Sequence, residues 1–195
     1  MEFGAKNDAG YQFRFRSRLF LLSAGEHHSI NPEGVFIMKV EDVMTKDVEF
    51  CTLETNLAAA AMQMWDRDCG VLPVVDDHRK VIGMITDRDI CMKAATKHQD
   101  IAAIKVKELT SGPIHTCKPE ADISDALDTL QRAFVRRLPV VNNEGQLEGI
   151  LSVSDILRQS RERVDKGTPG VTYADVVGTF KVISAPRSRA AAAKA

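Results

Sequence analysis

Residues 71–76 and 80–86 are apolar, β-branched runs separated by the polar Asp76-Asp77-His78-Arg79, the pattern of two strands joined by a turn. Ahead of them, Leu57, Ala60, Ala61, Met64 and Trp65 recur at helical spacing over 57–66, behind Asn56, a residue type suited to an N-cap. That face is expected to be core. Trp65 could stack on a base, but its place on the apolar face favours packing. A short strand is predicted at 48–51 and a second helix from 87 to about 97. The predicted order is strand, helix, strand, strand, helix.

The same pattern returns at an offset of 66 residues, from 40–92 to 106–158 without a gap. Leu72-Pro73-Val74-Val75 falls on Leu138-Pro139-Val140-Val141, Gly83 on Gly149, Thr86 on Ser152, Asp89-Ile90 on Asp155-Ile156, Cys51 on Cys117 and Glu54 on Glu120. Asn142-Asn143-Glu144-Gly145 is a stronger turn signal than its counterpart. Asp122-x-x-Asp125 reads as a capping box, and the last helix of this copy is predicted from 153 to about 163. Two copies are too few for a solenoid. The expected architecture is α/β: two β-α-β-β-α repeats about a pseudo-twofold axis, with two equivalent clefts. Beyond Gly167-Thr168-Pro169-Gly170, Thr172-x-x-Asp175 is predicted to cap a further helix through Ser184, followed by a basic, Ala-rich tail. The expected divisions are 1–37, a disordered extension; 38–99 and 100–163, the two repeats; and 164–195, the C-terminal helix and tail.

Charge narrows the function. The 26 Lys and Arg nearly balance the 27 Asp and Glu, so no overall basic field points to nucleic acid. Tyr11 to Leu22 carries three arginines and no acid, but its longest apolar run, Leu19 to Leu22, is far shorter than the ~20 residues of a membrane span. No membrane partner is expected. Cys51, Cys69, Cys91 and Cys117 form no C-x-x-C pair and read as reduced, partly buried thiols, which suits a cytoplasmic protein. His27-His28, His78, His98 and His115 have no metal-ligand spacing and read as loop or surface residues, and no metal site is expected. Nucleophile-elbow, Walker and dinucleotide motifs are all missing from the sequence, so it is read as a non-enzyme without an obligatory cofactor.

The repeated strand-to-helix junction carries the candidate chemistry. Thr86 and Ser152 stand where a helix begins, and unpaired backbone amides there attract an anion such as phosphate. One turn on, Asp89 and Asp155 return to the same side, where a carboxylate can accept both hydroxyls of a ribose. The strand segments with Val71 and Pro73, and with Arg137 and Pro139, would supply an apolar slot for a base, each proline favouring an edge position. The same S/T-x-x-D pattern is also an ordinary capping box, and the two roles can coexist. Gly83 and Gly149 fit either a ligand cleft or close packing. The clefts are expected to be unequal: Arg88 adds a phosphate contact in the first, where the second has Ser154, and Arg136 replaces Gly70.

Gly70-Val71-Leu72-Pro73-Val74-Val75-Asp76, followed by Val81-Ile82-Gly83-Met84-Ile85-Thr86-Asp87-Arg88-Asp89-Ile90, resembles a cystathionine-β-synthase (CBS) domain. Arg136-Arg137-Leu138-Pro139-Val140-Val141 with Leu147-Glu148-Gly149-Ile150-Leu151-Ser152-Val153-Ser154-Asp155-Ile156 resembles a second. Val-Glu-Asp-Val-Met-Thr at 40–45 looks like the family's entry segment, echoed at 106–111. The resemblance is to the stand-alone bacterial CBS pair. It implies a regulatory module, commonly a homodimer, that binds AMP, ADP, ATP or S-adenosylmethionine between the repeats and acts on an unidentified partner protein. The Ala58-Ala59-Ala60-Ala61 run is a candidate dimer contact. The reading set against this one is a dimerising module with empty clefts.

Overall fold

Each hairpin tip is built by a carboxylate or amide that turns the chain on itself. Asp76 Oδ1 accepts from the backbone N–H of His78 and of Lys80, both at 2.9 Å, and Asn142 Oδ1 accepts from those of Glu144 and Gln146. The left-handed position at each tip is taken by Arg79 (φ 61°) in one and Gly145 (φ 83°) in the other, so only the second copy avoids the Cβ penalty there. The two tips meet. Val81 N–H donates to Gly145 O and Leu147 N–H to Arg79 O, both at 3.0 Å, placing the pseudo-twofold axis between Lys80 and Gln146.

The structure, a computed structural model, describes residues 29–30, 36–110, 112–162 and 170–186. Most of the expected N-terminal extension and the basic tail lie outside them; β1 (Ser29–Ile30) and β2 (Phe36–Ile37) pair with each other, antiparallel. The first repeat comprises α1 (Val40–Val43), β3 (Cys51–Thr52), α2 (Leu57–Asp66), β4 (Val71–Val75), β5 (Val81–Thr86) and α3 (Asp87–Lys97). The second comprises a 3-10 turn at Val106–Glu108, α4 (Ile123–Ala133), β6 (Arg137–Val141), β7 (Leu147–Ser152) and α5 (Val153–Gln159), and α6 (Tyr173–Ile183) follows. β4 and β5 are antiparallel, as are β6 and β7, while β3 joins β4 in parallel. In the second copy the first strand is reduced to a single bridge, Cys117 to Val140.

Four local expectations change. The first strand pairs at Cys51–Thr52 rather than 48–51, because Cys51 lies opposite Val74 and the chain turns after Thr52, whose carbonyl accepts from Thr55 N–H. β4 is the central strand of its sheet, not an edge, and Pro73 fits by lying one residue before β3 joins at Val74. α5 stops at Gln159, because Arg161 pairs instead with 171–173: its N–H donates to Val171 O and its carbonyl accepts from Tyr173 N–H. Asp122 takes the N-cap backbone conformation without a side-chain cap bond. An Asp-x-x-Asp pair holds two carboxylates with no hydroxyl proton to share, which the Thr and Ser boxes have.

Two cores lie side by side, and each is sealed by the other repeat's entry segment. Val40 is fully buried among Ile123, Leu127, Leu130, Leu138 and Leu151 of the second repeat. Ile104 and Val106 are buried among Leu57, Leu72, Val74 and Ile85 of the first. The hydrogen bonds repeat by symmetry: Ile123 N–H donates to Met38 O and Val40 N–H to Ala121 O, as Leu57 N–H donates to Ile104 O and Val106 N–H to Thr55 O. Leu57, Ala60 and Met64 fill the core as expected, but Trp65 is 83% exposed, and Met62 and Met92 are exposed too. The apolar stripe of α2 is wider than the sheet beneath can cover. Cys51 and Cys117 are buried thiols, pushed up to about 11 and about 12 by desolvation. Cys91 is exposed. No helix among the described residues is long and apolar enough to cross a membrane.

Candidate functional site

β5 delivers Thr86 to the N-cap of α3, and register places Val71 of β4 directly opposite it. Thr86 Oγ1 donates to Asp89 Oδ2 at 2.7 Å and accepts from Asp89 N–H at 3.2 Å, while Thr86 N–H donates to the same Oδ2 at 3.0 Å. The capping box is therefore fully made. It uses only one carboxylate oxygen. Among the described residues nothing donates to Asp89 Oδ1, and Asp89 is exposed beside Arg88, also exposed, in the first turn of an 11-residue helix.

β7 delivers Ser152 in the same way, opposite Arg137 of β6. Ser152 Oγ and N–H donate to Asp155 Oδ2 at 2.6 and 2.8 Å. Here the resemblance ends. Arg158 Nη2 donates to Asp155 Oδ1, so both oxygens are engaged, and Asp155 is only 6% exposed. Arg158 stands where the first repeat has Met92. α5 has 7 residues, a shorter source of positive potential for an anion.

Arg137 and Pro139 line a cleft of about 140 Å³ where β5 of the first repeat, the connector (residues 105–110 and 112–115, between the repeats) and β6 of the second converge. Gly83 and Met84 form one wall, and Thr110, Gly112 and His115 another. Gly83 is a close-packing glycine: a Cβ there would sit 2.1 Å from Thr110 Cγ2. Gly149 is its counterpart, with Met44 Sδ and Thr45 O each 2.8 Å from a hypothetical Cβ. The position of His115 is held in the first repeat by Glu49, which with Asp47 is paired to Arg67. Thr110 and His115, which line the cleft, and Arg158, which engages Asp155, were missed as site residues. No local pattern in the sequence marks them.

The connector is tied from below. Lys105 and Lys107 both donate to Glu54, and these two cations hold its carboxyl down to about 2.

A family model described as the CBS domain matches residues 40–95 and again 106–162. Hypoxic response protein 1 of Mycobacterium tuberculosis is 34% identical over 121 residues, covering 62% of this chain and 84% of its own length. A crystal structure of Hypoxic Response Protein I with two coordinated zinc ions has a TM-score of 0.57 at 32% identity, covering 62% of this chain and 98% of that one. Among the described residues of the present chain no group of three or more His, Cys, Asp or Glu is placed to hold a metal ion. A CBS domain pair solved in complex with 5-methylthioadenosine and S-adenosyl-L-methionine has a TM-score of 0.56 at 24% identity, covering 63% of this chain and 94% of that one, a likeness of fold.

Proposed function

Because the chain belongs to the CBS domain family, we propose that it is a regulatory module of the cytoplasm, homodimeric and without catalysis of its own, that senses an adenosine-containing nucleotide between its repeats and passes occupancy to a partner protein. The observation that carries the reading is the exposed oxygen of Asp89 that takes no bond from the described residues, one turn from Thr86 and beside Arg88 at the start of α3. A carboxylate for the ribose diol, and a guanidinium at the positive end of α3 for phosphate, are different recognitions on one surface; the first three amides of α3 are already engaged, Asp87 N–H by Gly70 O, Arg88 N–H by Asp87 Oδ1 and Asp89 N–H by Thr86 Oγ1. Val71 borders it from β4, opposite Thr86, while Pro73, paired with Met84 two residues on, is buried. Arg137, Pro139, Ser152 and Asp155 form the second, weaker site, in which Arg158 competes for the diol acceptor.

A thermal-shift panel tests the reading. AMP, ADP, ATP or S-adenosylmethionine at about 100 times its dissociation constant should stabilise the protein by roughly 2.7 kcal/mol, and GMP, CMP and inorganic phosphate by less. Calorimetry should show Asp89→Ala abolishing the tight step, and Arg88→Ala weakening ATP and ADP more than adenosine, by about 1.5–3 kcal/mol. Equal shifts for every nucleotide would sink the proposal. The narrowness of the 140 Å³ cleft, below the ~300 Å³ of usual ligand pockets, favours the second reading, a dimerising module that binds nothing, if no compound shifts the melt.

A further inference from the structure

The surface between α2 and α3 is a groove of about 530 Å³, floored by Ala61, Met64, Ile90 and Ala94 and rimmed by Trp65. Its volume lies within the ~300–1,000 Å³ of usual ligand pockets, room for more than one aromatic ring. Among the described residues nothing lies over Trp65, and an indole beside an apolar floor is costly to leave in water. The rim is acidic. Asp68 and Asp87 line it, both exposed, Asp66 flanks it, and no Lys or Arg is among the lining residues.

The second repeat carries the opposite sign at the same place: Asp66 corresponds to Arg132 and Gly70, a groove residue, to Arg136, which lies 5.6 Å over the Phe180 ring. A basic apolar ligand is thus drawn to the first repeat and repelled by the second. The chain contains such a ligand. Residues 11–22, outside the described ones, hold three arginines and no acid. Their apolar and basic positions alternate, so that in an extended segment Tyr11, Phe13 and Phe15 share one side while Arg14, Arg16 and Arg18 share the other. Arginine stems can follow apolar surface to carboxylates at its edge. Residues 17–28, between Arg16 and Ser29 of β1, extend to about 40 Å, the width of a domain of this size. The groove is within reach.

We propose that the occupant of the Trp65 groove is residues 11–18 of the same chain, laid extended with Phe13 and Phe15 on the floor and Arg14, Arg16 and Arg18 paired with Asp66, Asp68 and Asp87. The segment is a built-in cover, and its release bares an apolar, acid-rimmed surface on α2 and α3. This departs from the expectation that 1–37 is a disordered extension. It is independent of nucleotide binding.

Two groove residues report the cover in the full chain: Trp65, its single tryptophan, and Cys91, an exposed thiol of α3. In the wild type, Trp65 emission should lie at short wavelength and Cys91 should react slowly with iodoacetamide, read by peptide mass, at every protein concentration. Arg14→Glu, Arg16→Glu and Arg18→Glu together should move emission to longer wavelength and speed Cys91 alkylation at least ~10-fold. Asp66→Lys with Asp87→Lys should do the same, Asp68 being left in place because its φ is positive, and all five substitutions in one chain should restore both signals. Phe13→Ser with Phe15→Ser is an independent break that leaves the charge unchanged. Circular dichroism matching the parent shows that each variant is folded. Wild-type emission typical of a solvated indole, or alkylation indifferent to the arginine and phenylalanine substitutions, overturns the proposal. Emission and protection that grow with concentration, in step with dimer mass by light scattering, would give the groove to a second copy and overturn it equally.

Discussion

At the scale of single residues, the difference between the two junctions comes down to Arg158. It donates to the one oxygen of Asp155 that the capping box leaves over, whereas Met92 at the matching position cannot. Arg158→Met should therefore free Asp155 Oδ1 and strengthen the weaker nucleotide step in calorimetry, leaving the Asp89 step unchanged; no gain would show that Arg158 does not compete. The Thr86–Asp89 and Ser152–Asp155 boxes were legible in the sequence, because a cap is a local object set by residues three apart. Trp65 was not. Helical spacing puts it on the apolar face of α2, but how far round that face the core reaches depends on the sheet beneath it, which spacing does not encode.

At the scale of elements, β5 and the connector touch through a missing side chain. Gly83→Ala would place a methyl 2.1 Å from Thr110 Cγ2, and something must move. The expected cost is about 1–3 kcal/mol of unfolding free energy, read by urea denaturation. Thr110→Ser keeps the hydroxyl that donates to Val106 O and removes the clashing methyl, so the double variant should recover most of the loss. The tie of Glu54 to Lys105 and Lys107 sets an acid response for the same connector. Its folded pKa, about 2, lies below the ordinary 4.5, so the tie stabilises above 4.5 and is lost as the pH falls towards 2. Glu54→Gln should lessen the dependence of Tm on pH in that window, part of which remains through Glu108, whose carboxyl is also held low by the Lys105 backbone N–H and Lys93. The strands, hairpins and most helices were legible from alternation and turn residues. The ends of β3 and α5 were not, because they are decided by where a distant segment pairs: Val74 for one, Val171 for the other.

At the scale of the whole molecule, the repeat announced two similar bodies but not that they trade their first turns. Val40 and Val106 carry no mark in the sequence that sends each to the other core, because an apolar residue at an entry segment fits either. Interlocked cores should melt together. Val40→Ala should cost about 1.5–3 kcal/mol and lower a single calorimetric transition, with no second peak from an intact first repeat. Two resolved transitions would mean that the exchange is energetically minor.

The exchange also bears on how the chain comes off the ribosome. α1 emerges early, but Ala121, which receives Val40 N–H, and Ile150, which exchanges backbone bonds with Thr45, are made only with the second repeat. Until then Val40 has no home, and the first core waits for Ile104 and Val106. A nascent chain halted after residue 99 is thus an open half with two vacancies, a natural client for chaperones. That half and a separately made second half, carrying Ile104, Val106 and the core that receives Val40, should find and complete each other.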